Sequence, residues 1–250
     1  MSVLKFRENH QVKTYECDTQ SEMTLPSLIN VMVETSGKQS EMLGNSENHM
    51  TELGLSWIII QYHMTLNRMP KQMETIIIET EAVSYNRFFT YRIFRAYDAE
   101  ENLLVEVMTT FSIMKMETRK MTQIPADLVA PYEAEEIRTI IRPPKIEAVG
   151  EPTQSIPFRV RYLDIDGNQH VNNSKYFDWM LNTLDRDFHA THQMVDVNIK
   201  YEKEVGYGSM INSQMSEEQL EDGTIKTRHE IINNGDICCV ANMIWKKREN

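Results

Sequence analysis

At 250 residues, with 41% hydrophobic and 25% charged residues, the chain has the composition of a folded protein able to bury a substantial core, as one large domain or two ordinary ones. Acidic residues (37) outnumber basic ones (26), and the net charge of −11 argues against nonspecific nucleic-acid binding, which depends on neutralising phosphates. No segment reaches the apolar length of a membrane span and the start Met1-Ser2-Val3-Leu4-Lys5-Phe6-Arg7-Glu8 lacks a signal-peptide stretch, so a cytoplasmic protein is expected.

In chain order, the first strong pattern is an amphipathic helix over Thr24 to Gly44. Leu28, Met32, Val33 and Leu43 recur near helical spacing, Pro26 stands early and Gly44 closes it. Four strand-like runs follow, Ser56 to Leu66, Thr75 to Ser84, Phe88 to Tyr97 and Leu103 to Lys115, rich in Ile, Val, Thr and aromatics. From Ile124 to Pro157, prolines interrupt an acidic stretch around Glu133 to Glu136, which reads as a connector. Beyond it come a short strand, Phe158 to Tyr162, and a helix from near Asn173 with Tyr176, Phe177, Met180 and Leu184 inward. Strands at Val195 to Tyr201, Ser209 to Ser216, Thr224 to Ile232 and Ile237 to Trp245 complete the second half. Helix plus meander thus occurs twice. The expected fold class is α+β, two tandem modules each packing a long helix against a curved antiparallel sheet, with boundaries at 1–124, 125–157 (linker) and 158–250. Two unrelated α+β domains are the alternative.

The chemistry-bearing stretch is Arg161-Tyr162-Leu163-Asp164-Ile165-Asp166-Gly167-Asn168-Gln169-His170-Val171-Asn172-Asn173-Ser174-Lys175-Tyr176, at a strand-to-helix junction where unpaired backbone amides favour developing negative charge. Helix capping by Asn172, Asn173 or Ser174 accounts for some of it, but not for Asp166, Asn168 and His170 together. Asp164, Asp166 and Asn168 mimic the opening of a calcium loop, yet Gln169 stands where that loop needs glycine and Lys175 where it needs glutamate. No second His or Cys lies at zinc-ligand spacing from His170, so no metal is expected. Gly-x-Ser-x-Gly is absent. The three cysteines lack a Cys-x-x-Cys pair, and of Cys238 and Cys239, in a strand, one should face the core. Acid, amide and imidazole remain, a set suited to holding a carbonyl and activating water.

The run Asp166 to Tyr176, with Trp179 beyond it, resembles the Asp-x-Asn-x-His-Val-Asn-Asn-x-x-Tyr signature of the fatty acyl-acyl carrier protein thioesterases of bacteria and plant plastids. Leu55-Ser56-Trp57-Ile58, Asn67-Arg68-Met69-Pro70, Thr118-Arg119-Lys120 and Ile124-Pro125 are similar to further parts of that family, so the likeness covers most of the chain. It implies a double hotdog fold, hydrolysis of fatty acyl-acyl carrier protein thioesters and no cofactor. By the same resemblance Asp166, Asn168 and His170 are the catalytic Asp, Asn and His, and Glu204, in Ile199-Lys200-Tyr201-Glu202-Lys203-Glu204-Val205, is the catalytic glutamate. Val205 stands where plant members have cysteine, so water attack assisted by Glu204 is expected instead of a cysteine nucleophile. Asn172, Asn173, Met32 and Trp57 are the expected substrate-binding residues, although Met32 and Trp57 fit a plain core equally well, as do many of the 17 methionines. The acidic carrier protein would dock on basic residues drawn from Arg87, Arg92, Arg119, Lys120, Arg138, Arg142 and Lys145. A hotdog thioesterase acting on coenzyme A esters and a noncatalytic acyl-binding sensor are the alternatives, and both a monomer and a homodimer fit.

Overall fold

Alternating burial along the strands organises the computed structural model, which describes residues 4–248. The chain divides into two units, Met1–Tyr62 with Met69–Arg142 and His63–Arg68 with Pro143–Asn250.

The first unit is built from β1 (Lys5–Gln11), α1 (Leu25–Met42), α2 (Glu47–Glu52), β2 (Leu55–Leu66, as far as Tyr62), β3 (Thr75–Tyr85), β4 (Thr90–Tyr97) and β5 (Leu103–Lys115). The short elements β6 (Lys120–Thr122), α3 (Ala126–Val129) and β7 (Glu135–Glu136) follow. Its strands run β1-β3-β4-β5-β2, and the β1/β3, β3/β4 and β4/β5 pairs are antiparallel. Thr24 caps α1 by accepting the Ser27 amide, Pro26 fits the first turn, and Gly44, at φ +79°, lets the chain leave the helix. The buried face starts apolar, with Leu25, Leu28, Ile29 and Met32, and turns polar at Thr35, Ser36 and Gln39. Each large apolar side chain buried there contributes about 1.5–3 kcal/mol. Val33 and Leu43, expected inward, are only partly covered because they flank this stripe.

The second unit contains β8 (Gln154–Arg159), α4 (Asn173–Leu181), α5 (Arg186–Thr191), β9 (His192–Tyr201), β10 (Met210–Gln219), β11 (Ile225–Asn233) and β12 (Asp236–Lys247), with strands in the order β9-β12-β11-β10-β8. Tyr176, Phe177 and Met180 are buried as expected. The helix is shorter than its sequence pattern suggests. Thr183 turns its hydroxyl back onto the Met180 carbonyl at 2.7 Å, and Asp185 caps a new helix by accepting the Phe188 amide at 2.7 Å.

Three elements leave little sequence signal. β1 carries a single large apolar residue, Phe6, and is held by pairing with β3 and by ion pairs from Lys5 and Arg7 to Glu79. The short helices α2 and α5 depend on capping by Ser46 and Asp185. β8 also lies earlier than the expected Phe158 to Tyr162. Both Cys238 and Cys239 are buried, against the expectation that one would face out. A bulge explains it: Ile231 pairs with Cys239 and Ile232 with Ile237, so Cys238 is the extra residue and the alternation breaks there. Burial pushes both thiols up. Among the described residues no helix is long and apolar enough to cross a membrane.

Candidate active site

After β8 the chain enters a single 3-10 turn, Tyr162–Asp164, fixed by the Asp164 carboxylate. That carboxylate accepts the Arg161 amide at 2.8 Å and pairs with the Arg161 guanidinium at 2.7 Å. Burial draws the Asp164 carboxyl upward, but the bonds from Arg161 outweigh it and hold the group below its ordinary range. A tight loop follows. Ile165 and Val171 form an antiparallel bridge, the Asp166 amide donates to the His170 carbonyl at 2.9 Å, and the Gln169 amide donates to the Asp166 carbonyl at 3.0 Å with Gln169 at φ +68°. The Asp166 carboxylate accepts the Asn168 amide at 2.9 Å, an Asx turn that presents Asn168 at the exposed tip.

Helix α4 then begins on Asn172, whose side-chain oxygen accepts both the amide (2.9 Å) and the hydroxyl (2.8 Å) of Ser174. That oxygen is therefore committed to the cap. Asn173 is the first helical residue, with no acceptor for its amide inside the helix, and its carbonyl accepts the Tyr201 hydroxyl at 2.9 Å.

Glu204 arrives from a distant segment. The Cys238 carbonyl, at the bulge in β12, accepts the amides of Glu202 (2.8 Å) and Lys203 (3.1 Å), which turns the chain out of β9. Val205 is fully buried and its carbonyl accepts the Val171 amide at 3.1 Å, while the Tyr176 hydroxyl takes a hydrogen bond from the Val205 backbone. Tyr176 in turn packs edge-on against Trp179 and Tyr201, each at 5.3 Å. The result brings His170 Nε2 to 3.1 Å from Glu204 Oε2, with both side chains partly open to solvent. Asp166, Asn168, His170 and Glu204 thus belong to one neighbourhood.

Met32 and Trp57 lie in the first unit. Met32 is fully buried on α1, and Trp57 packs with the cluster of Met50, Ile113 and Leu128, its ring edge-on to Phe111 at 6.4 Å. Of the basic residues considered for docking, Arg92 is buried and cannot serve; Arg87, Arg119, Lys120, Arg138, Arg142 and Lys145 are exposed. Sequence reasoning missed the bracing by Tyr176, Tyr201 and the Cys238 bulge. An aromatic at the end of β9 and a Cys-Cys pair in β12 were the available signals.

The first unit repeats this turn with other residues. The Lys13 amide donates to the Glu16 carboxylate (2.7 Å) as Arg161 does to Asp164, and Asp18 accepts the Gln20 amide (2.8 Å) as Asp166 accepts that of Asn168. The backbone amides of Asp18, Thr24 and Met23 donate to the carbonyls of Glu22, Glu16 and Pro70, matching those of Asp166 to His170, Asn172 to Asp164 and Val171 to Val205. Cys17 bridges Met23, and Ser21 takes φ +61° where Gln169 takes +68°. Glu22 therefore answers to His170, and Met69, just before Pro70, to Glu204.

A helix against an antiparallel sheet, present twice and with equivalent helix-entry turns, defines a double hotdog protein. The chain belongs to the acyl-ACP thioesterase family: residues 3–132 match the acyl-ACP thioesterase N-terminal domain and 147–247 the acyl-ACP thioesterase C-terminal domain. A crystal structure from Lactobacillus plantarum, provisionally described as an oleoyl thioesterase, is 33% identical, with a TM-score of 0.94 over 99% of this chain and 98% of that one. The 12:0-ACP thioesterase from Umbellularia californica shares the fold at 19% identity, with a TM-score of 0.87 over 98% of this chain and 94% of that one. The chloroplastic oleoyl-acyl carrier protein thioesterase of Coriandrum sativum is 24% identical over 242 residues, 89% of this chain and 65% of that protein. The chain spans less than two thirds of the length of such plant relatives.

Proposed function

We propose that the protein hydrolyses fatty acyl-acyl carrier protein thioesters, releasing free fatty acid and holo-acyl carrier protein at the end of fatty acid biosynthesis. The observation that carries this reading is the His170–Glu204 pair at 3.1 Å, assembled at a helix start from segments far apart in sequence. Asn168 and the Asn173 amide hold the thioester carbonyl. Glu204, oriented by His170, takes a proton from a water whose oxygen bonds the acyl carbon; the carbon–sulfur bond then breaks and the thiolate leaves with that proton. Asp166, whose carboxylate is spent on the turn, is a positioning residue. A buried valine at 205 supports water over a cysteine nucleophile.

In this reading residues 158–250 carry the chemistry, residues 1–124 hold the acyl chain with Met32 and Trp57 along it, and 125–157 join them. The carrier protein approaches over Tyr162, Leu163, Tyr207 and Met210, which are 78%, 81%, 63% and 57% exposed, flanked by Arg159 and Arg161. The Val160–Ser209 hydrogen bond and the pairing of Arg159 with Met210 hold these residues beside the site.

The test is thiol release from acyl-acyl carrier protein by the wild type and by Glu204→Gln. Loss of the base should lower kcat by about 10²–10⁴-fold with an unchanged thermal melt. Near-normal turnover by the variant, or no release by the wild type from carrier or coenzyme A esters, refutes the reading.

A further inference from the structure

Buried cations in proteins are paired, because an isolated charge taken out of water costs several kcal/mol. Arg92 on β4 departs from this rule. It is 8% exposed, and among the described residues it forms no ion pair with a carboxylate. Its Nη1 donates to Gln39 Oε1 on α1 at 2.6 Å and to Thr80 Oγ1 on β3 at 2.7 Å, and its guanidinium carbon lies 5.2 Å from the Tyr132 ring centre. A guanidinium carries five N–H donors. These contacts take two, and Nε and Nη2 have no acceptor among the described residues.

The neighbouring groups point the same way. Thr109 on β5 is Arg92's direct cross-strand partner, so the two side chains project on one face of the sheet, the face turned to Gln39 of the helix. Thr109 is fully buried and its hydroxyl has no hydrogen-bond partner among the described residues. Gln39 is held in place from its other end, its amide nitrogen donating to the Leu4 carbonyl at 3.2 Å. Desolvation pulls the Arg92 guanidinium down to about 10, which still leaves it charged at neutral pH. On the other side of this polar group α1 presents Met32, Ile29 and Leu28, all buried. A cation and a hydroxyl with spare hydrogen-bonding capacity therefore sit at one end of an apolar helix face.

We propose that Arg92, together with the Thr109 hydroxyl, is an internal anchoring point for a carboxylate or hydroxyl carried on an apolar chain. The inference rests on the proposed function in one respect, the expectation that acyl chains enter this unit. Two sources supply such a group: the far end of an acyl thioester that bears an oxygen function, or the carboxylate of a released fatty acid held in the reverse direction. A purely aliphatic chain end offers Arg92 no acceptor and adds to the desolvation of its charge. The residue then also discriminates against chains long enough to reach it.

The experiment compares acyl-acyl carrier protein thioesters of one chain length ending in methyl, hydroxyl or carboxylate, for the wild type, Arg92→Met, Arg92→Lys and Thr109→Val. The ratio of kcat/KM for the oxygenated over the methyl-ended substrate should fall at least tenfold in Arg92→Met, the loss expected for one charge-assisted hydrogen bond. Arg92→Lys should retain part of the ratio, and Thr109→Val should lose a few-fold. In a second arm, free fatty acid is tested as an inhibitor. Inhibition relieved by Arg92→Met with unchanged substrate ratios assigns the anchor to the released acid. A third arm titrates a saturated α,ω-dicarboxylic acid against the monocarboxylic acid of equal length by calorimetry. It judges the anchor even if the wild type hydrolyses no thioester, an outcome that would defeat the proposed function alone. Should Arg92→Met not fold, the Lys and Val variants decide. If ratios, inhibition and calorimetric preference are all the same with and without Arg92 and the Thr109 hydroxyl, the proposal is wrong.

Discussion

The two helix-entry turns of this protein share one pattern of hydrogen bonds and differ in the side chains set on it. Both have an acidic residue closing a 3-10 turn, an aspartate making an Asx turn, a residue at positive φ and a backbone bond to a remote segment. In the second unit the positions beyond that frame hold His170 and Glu204; in the first they hold Glu22 and Met69. The frame alone therefore makes no site. Its persistence where Glu22 and Met69 stand in place of His170 and Glu204 argues that Asp18 and Asp166 serve turn geometry, and that the proposed chemistry resides in what differs.

The strongest way to break this comparison is to write the first unit's residues into the second. His170→Glu combined with Glu204→Met should abolish hydrolysis, at least 10³-fold in kcat, because the imidazole and its paired carboxylate are both lost while the turn bonds are all backbone or belong to Asp164 and Asp166. The melting temperature should change by less than a few degrees. Retained turnover would mean that the pair is not the engine.

Asp166 provides the next test. Asn preserves the oxygen that accepts the Asn168 amide, whereas Ala removes it. Asp166→Ala should therefore cost about 100-fold in kcat and Asp166→Asn under tenfold, by the sensitivity of turnover to small misplacements. Asp18→Ala should lower stability by about 1 kcal/mol, as loss of a local side-chain hydrogen bond does, without touching kcat. Equal damage from Asn and Ala at 166 would show that the charge of Asp166 itself takes part.

A smaller effect separates the interiors of the units. His229 on β11 is fully buried; its Nε2 meets Thr227 Oγ1 at 2.8 Å, Trp245 donates to the same oxygen at 2.9 Å, and Nδ1 has no partner among the described residues. Burial lowers its pKa from 6.5 to about 3, so the folded state holds it neutral. Stability is then complete above pH 6.5 and is lost as pH falls towards 3, since the unfolded chain takes up the proton first. Between neutrality and pH 5 this should amount to about 2 kcal/mol. His229→Gln should flatten that part of a pH-dependent melting curve. The first unit's buried base, Arg92, stays charged across the range and contributes no such slope.

How much of this was legible in the sequence follows from where the forces are local. α1 and β5 were, because caps and apolar alternation lie inside the segments themselves, and Thr24 and Gly44 bound the helix as their side chains dictate. β1 was not, since its stability comes from pairing with β3 and from charges on other strands. The Asp166–His170 stretch was recognisable as a motif, yet its partner Glu204, exposed on a loop beside Lys203, has no local signature; only the bulge at Cys238 and the Val171–Val205 bond deliver it. The kinship of the two turns was hidden for the complementary reason. Backbone bonds make most of that frame, and they leave side-chain identity free to drift.

The gentlest test uses the residues just before each turn's acid. Tyr15 and Leu163 occupy equivalent positions on their 3-10 turns and are 85% and 81% exposed, so neither contributes to the core. If Leu163 lies on the path of the carrier protein, Leu163→Ser should raise KM for acyl-acyl carrier protein a few-fold, the loss of one moderately buried interface side chain, and leave kcat and the KM for a carrier-free acyl-pantetheine thioester unchanged. Tyr15→Ser should alter none of these. A matching rise in KM for the carrier-free thioester would assign Leu163 to the acyl-pantetheine route instead. Equal effects from both serine variants would mean that the carrier does not distinguish the turn with chemistry from the one without it.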